Sequence, residues 1–180
     1  MNEKHIKDAK LITSIFNTFK EGSAIIAGGY PRDLQLGREP KDIDILVEWT
    51  SKLDYDELTI LADRLGYSCR DYSDRYDDHE DDQLRRVVSL IPKWERGQFE
   101  ENVVIDVIFL NCPVFERISK FPCTLSEIWL TANGDVEFSY DFSVAVLKKV
   151  LHFRYNSAEY DEYEARMKSY FPDYRVEHAD

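Results

Sequence analysis

Two aspartates, Asp42 and Asp44, stand two residues apart in the run Asp42-Ile43-Asp44-Ile45-Leu46-Val47, whose apolar character predicts a strand. Residues i and i+2 of a strand share a face, so the two carboxylates lie side by side and repel each other unless a cation sits between them. A third carboxylate, Asp106, is the lone charge in residues 103–110, the most apolar strand of the sequence. A buried charge of this kind costs several kcal/mol unless paired or metal-bound, so Asp106 calls for a core arginine or an ion. Upstream, Ala24-Ile25-Ile26-Ala27 reads as a buried strand, and Gly28-Gly29 as a tight turn where the backbone approaches a ligand with no Cβ in the way. Pro31 suits the first turn of a helix and Gly37 its left-handed end. Residues 31–36 are thus a short helix whose amino end, beside Arg32, attracts anions such as phosphate, with Asp33 as an acid of its first turn.

Further elements must frame this stretch. Ala9, Leu11, Ile12, Ile15, Phe16 and Phe19 recur at helical spacing and predict an amphipathic helix over 4–20. Residues 55–65 form another helix, ended by Gly66, before a strand that starts at Tyr67. Residues 71–82 hold Asp71, Asp74, Asp77, Asp78, Glu80, Asp81 and Asp82; they lack the glycine and glutamate of a calcium-binding loop and read as an extended, solvated segment. The strand over 84–91 opens on Arg85-Arg86, one of which faces the carboxylates if the strands are neighbours, as a triphosphate contact or as a partner for the acidic segment. Asn133-Gly134 predicts a type I′ hairpin. Residues 142–153 read as a core helix with Lys148-Lys149 outward. Residues 157–170 read as a polar helix with Tyr160, Tyr163, Met167 and Tyr170 on one side, a packing edge rather than a base-stacking platform. The tail, 172–180, is expected to fray.

Gly28-Gly29, Arg32-Asp33, Leu36-Gly37-Arg38, Pro40 and Asp42-Ile43-Asp44 together resemble the head-domain signature of the DNA polymerase β nucleotidyltransferase superfamily, in the version found in class II tRNA nucleotidyltransferases (CCA-adding enzymes) and bacterial poly(A) polymerases. The resemblance implies an α+β fold, a mixed sheet flanked by helices. It also implies that Asp106 completes a metal site with Asp42 and Asp44, the three carboxylates converging on Mg²⁺ or Mn²⁺. Gly28, Gly29 and Arg32 would then hold the phosphates of a nucleoside triphosphate, with Asp33 ordering the turn. The implied reaction transfers NMP from NTP to an acceptor hydroxyl, an RNA 3′ end or another acceptor, with release of pyrophosphate. Further on, residues 121–127 stand where the family has Arg-Asp-Phe-Thr-x-Asn-Ala and keep only Thr124, so the family's nucleotide-sugar contacts are missing. A non-catalytic nucleotide-binding or partner-interaction module on the same fold is the alternative reading.

With 180 residues the chain fits a single domain and lacks room for the helical body of a full CCA-adding enzyme. Its 35 acids against 23 bases give a net charge of −12, which argues against avid, sequence-independent RNA binding and points to a protein partner or a homo-oligomer for any RNA acceptor. Cys69, Cys112 and Cys123 have no metal-like spacing and read as reduced thiols. Without a signal-type start or an apolar run of spanning length, a cytoplasmic protein free of the membrane is expected.

Overall fold

The computed structural model describes residues 3–20, 22–49, 55–72, 83–93, 104–131, 133–155 and 160–179. The opening helix, α1 (Glu3–Phe19), buries Ala9, Ile12 and Phe16, the stripe set by its sequence. The organising stretch follows as β1 (Ala24–Ala27), α2 (Gly29–Gln35) and β2 (Ile43–Glu48). The short helix thus starts two residues earlier than Pro31 suggests. Gly37 does take the left-handed conformation just past it, at φ +69°. Next come α3 (Tyr55–Leu65), β3 (Tyr67–Asp71), β4 (Leu84–Pro92) and β5 (Ile105–Leu110). Val103, where the sequence begins its apolar strand, lies outside the described residues, as does the acidic segment from residue 73 to 82.

Seven strands form a mixed sheet in the order β3-β4-β5-β2-β1, continued by β6 (Ile128–Leu130) and β7 (Val136–Phe138). Within this sheet β2 and β5 run parallel, and the other described neighbours are antiparallel. Alternation decides the two faces. Ile43, Ile45, Ile105, Val107 and Phe109 pack under α1 and α3, with Leu58 and Ala62 of α3 among them. Leu46 and Leu110 point the other way, to Val114 and Ile118 of α4 (Val114–Ile118). Asp44 and Asp106, one residue out of phase with those isoleucines, belong to this second face.

A hairpin forms where Asn133-Gly134 predicts it, with Leu130 of β6 paired to Val136 of β7, but not through a type I′ turn, since Asn133 does not take the positive φ that such a turn requires. Thr131 N–H donates to Asp135, Gly134 N–H donates to Thr131, and Gly134 takes the positive φ of +85°. The predicted helix over 142–153 is two elements, α5 (Tyr140–Lys148) and β8 (Val150–Phe153). Lys149, left-handed at φ +51°, breaks it, and the apolar residues beyond enter a strand. The tail expected to fray carries a strand: after α6 (Asp161–Tyr170), β9 (Arg175–His178) pairs in parallel with β8. Residues 157–159, the expected start of the last helix, lie outside the described residues. Phe142, Ala145, Leu151, Phe153, Met167 and Phe171 knit this C-terminal part into a core of its own. Among the described residues no helix is long and apolar enough to cross a membrane.

Candidate active site

Asp44 and Asp106 face each other directly across the parallel β2–β5 pair. Asp42 is exposed on the approach to β2. The three are coupled: burial first, then the Asp42 and Asp106 charges, pushes the Asp44 carboxyl up to about 7, with Arg32 and Arg166 pulling it back. Burial also raises Asp106, against a hydrogen bond from Ser89 Oγ that favours its charged form. The expected convergence is incomplete. Among the described residues no group of three or more His, Cys, Asp or Glu side chains is placed to hold a metal ion. Like charges repel, and Ser89, the register partner of Asp106 on β4, draws one of its oxygens. The donor chemistry nonetheless fits a hard divalent cation, since all three groups offer carboxylate oxygens and Asp44 carries a charge that its surroundings disfavour.

Asp42 and Asp44 line a cleft of about 490 Å³ together with Gly28, Gly29, Arg32 and Asp33. The four residues singled out as a phosphate site therefore do gather beside the two carboxylates. Their roles differ from the sequence reading in two respects. Gly28 N–H is not free for a ligand, because it donates to the Ile128 carbonyl at 3.0 Å. Asp33 orders Arg32 rather than the helix start: its Oδ1 accepts from Arg32 Nε at 2.8 Å, and both residues are buried. Gly28 itself is held at φ +77°, ψ −123°, where an L side chain is strained. A Cβ there would meet Phe121 at 3.7 Å and Asp44 Oδ2 at 3.9 Å, ordinary contacts, so the cost lies in the backbone. Gly28→Ala is expected to destabilise the protein by about 1–3 kcal/mol in denaturant titration; a change below about 0.5 kcal/mol would show the turn to be free to relax.

Arg85 and Arg86 do not reach this cleft. Arg86 donates to Asp71 Oδ2 through Nε at 2.8 Å and Nη2 at 2.5 Å, and lies over Tyr55, while Arg85 lies over Trp49 at 4.2 Å. Of the two readings the partner role is the one seen, with the first acid of the acidic stretch. The cations that do line the cleft, besides Arg32, are Lys41, Arg117 and Arg166. They stand out in a chain of net charge −12.

One wall escaped the sequence reading. Tyr163, Arg166, Met167 and Tyr170 of α6 all line the cleft. Three of them belong to the stripe read as a packing edge, and Arg166 shares it at i+3 from Tyr163; that spacing was the available signal. Thr124, kept from the family motif, is buried outside the lining, and its Oγ1 has no hydrogen-bond partner among the described residues.

No protein-family model matches the chain, and no curated protein does. Solved structures match it. A tRNA-processing enzyme in apo form superposes with a TM-score of 0.66 at 15% identity, over 98% of this chain and 45% of its own. A CCA-adding enzyme in complex with ATP gives 0.65 at 17% identity, over 98% and 40%. The Thermotoga maritima CCA-adding enzyme complexed with tRNA gives 0.64 at 18%, again over 98% and 40%. The chain has a nucleotidyltransferase fold. It spans about two fifths of the length of the CCA-adding enzymes on which it superposes.

Proposed function

We propose that this chain is a metal-dependent nucleotidyltransferase that moves NMP from a nucleoside triphosphate to an acceptor hydroxyl and releases pyrophosphate. The observation that carries it is the register of Asp44 against Asp106, with Asp42 and Asp44 at a cleft that also holds Arg32, Lys41, Arg117 and Arg166. Arg32 and Gly29 receive the outer phosphates, the arginine by charge and the glycine by leaving room. Asp42, Asp44 and Asp106 would hold Mg²⁺ or Mn²⁺. Such an ion would supply charge neutralisation of the triphosphate and a lowered pKa of the acceptor hydroxyl. The acceptor oxygen, losing its proton to water, bonds to the α-phosphorus as the bond from that phosphorus to pyrophosphate breaks, with no covalent intermediate on the protein. Complexes of similarly folded enzymes with ATP and with tRNA support this choice of substrates. Three free cysteines support a cytoplasmic setting.

The deciding experiment incubates the protein with each α-labelled triphosphate, Mg²⁺ and a cell extract, and asks which class of molecule carries the label. Label on RNA or another acceptor supports transfer. Triphosphate binding without transfer supports instead the non-catalytic nucleotide-binding module, for which the open carboxylate set speaks. The isolated chain, with its net charge of −12, is expected to bind tRNA only in the non-specific range, roughly 10⁻⁴ to 10⁻⁶ M at physiological salt. An RNA acceptor then requires a basic protein partner or an oligomer. Tight, specific tRNA binding by the monomer in a filter assay would overturn that part of the reading.

A further inference from the structure

Arg32 is 5% exposed, and its guanidinium is anchored through Nε and Nη1 and over one face. Nε donates to Asp33 Oδ1 at 2.8 Å, and Nη1 donates to Ser126 Oγ and Met167 Sδ, each at 3.3 Å. The ring of Phe171 lies 5.5 Å from Cζ. Nη2 alone makes no hydrogen bond among the described residues, and it lies 3.8 Å from where a Cβ on Gly29 would stand, at the glycine turn. Ser126 Oγ is in turn 2.9 Å from the Tyr163 hydroxyl of α6. A serine oxygen that accepts from Arg32 keeps one hydrogen and one further acceptor site, so it bridges guanidinium and phenol whichever of the two hydroxyls donates. The phenol is fixed by its ring, which packs edge-on against Phe153 at 6.2 Å.

We propose that Tyr163 is a positioning residue for the nucleotide site: through Ser126 it locks the Arg32 guanidinium so that Nη2 is presented at Gly29 to the outer phosphates of a nucleoside triphosphate. This rests on the triphosphate-binding reading above. A planar guanidinium gains specificity from its fixed orientation, and the phosphates meet an edge that the other nitrogens have already set. The helix that carries Tyr163 also ties down the loop before Asp42, because Arg38 and Lys41 lie over the Tyr170 ring at 4.9 and 5.1 Å. Docking of α6 therefore sets both the phosphate side and the carboxylate side of the cleft.

The test measures Mg·ATP and AMP binding calorimetrically for the wild type, Tyr163→Phe, Arg32→Ala and the double variant, together with the nitrogen-15 exchange of the Arg32 guanidinium. Tyr163→Phe is expected to weaken Mg·ATP about tenfold, the worth of one hydrogen bond, with AMP unchanged. In the Arg32→Ala background it is expected to have no further effect. Equal losses for ATP and AMP, or an undiminished loss without Arg32, would make Tyr163 a packing residue and overturn the proposal. Should the wild type bind no triphosphate, the triphosphate reading falls on its own. The positioning claim is then decided by the guanidinium: faster rotation about Cζ–Nη1 in Tyr163→Phe upholds it, and unchanged rotation overturns it.

Discussion

Asp44→Asn is expected to raise the melting temperature of the ligand-free protein at pH 8, by as much as roughly 10 °C, while below pH 4 the variant and the wild type converge. The cause is the position of the Asp44 carboxyl, held at about 7 against an ordinary value of 3.8 by burial and by the charges of Asp42 and Asp106. A group whose folded pKa is raised contributes stability that is fully present below the unfolded value and lost as pH rises through the folded one. The wild type therefore forfeits up to about 4 kcal/mol between pH 4 and pH 8, less as far as water at the cleft screens this half-buried carboxylate, and asparagine, which carries no charge, does not. Other carboxylates titrate over the same window, so the readout is the difference between variant and wild type at each pH. A difference that stays flat across the window would mean that Asp44 is solvated. With Mg²⁺ and a triphosphate at pH 8 the order reverses in kind: the wild type gains stability by mass action and the variant gains none. An equal gain in both would put the ligand elsewhere.

What the sequence made legible was local. Asp42-x-Asp44 reads as one face from strand periodicity alone, and Gly28-Gly29, Pro31 and Gly37 carry their backbone meaning in their own chemistry. The opposition of Asp44 and Asp106 is a matter of strand register, which no spacing between residues 44 and 106 encodes; it came from the family resemblance. The break at Lys149 was invisible, because a non-glycine residue in the left-handed region has no sequence mark, and Val150, Leu151 and Phe153 continue an apolar pattern that helix and strand share. The strand β9 was missed for a related reason: Arg175-Val176-Glu177-His178 has little apolar pattern of its own and is ordered by pairing with β8. The α6 wall of the cleft depends on that same tertiary docking. Its tyrosines Tyr163 and Tyr170 pack against the C-terminal core and at the same time line the cleft.

Glu127→Ala is expected to cost about 1–3 kcal/mol in equilibrium unfolding, since it takes the buried acceptor away from the Ser139 hydroxyl and from the partly exposed Arg154. Glu127 ends the segment that departs from the family motif, and nothing in that comparison marks it. It is 2% exposed, accepts from Ser139 Oγ at 2.6 Å and from Arg154 Nε at 3.1 Å, and also pairs with Arg154 Nη2. Ser139 is at the same time the N-cap of α5, accepting from Phe142 N–H at 3.0 Å, so the carboxylate holds the cap that starts the helix. Arg154 retains Asp141 at 3.3 Å and some access to water, which places the loss toward the lower end of that range. Glu127→Gln keeps the shape and one acceptor and is expected to lose less than the alanine variant. Because Glu127 adjoins Ser126, on which Arg32 leans, the alanine variant should also weaken Mg·ATP at temperatures where it is still folded. Unfolding free energies for both variants within 0.5 kcal/mol of the wild type would show that the Glu127–Arg154 pair exchanges with solvent and that the C-terminal core stands on its apolar contacts alone.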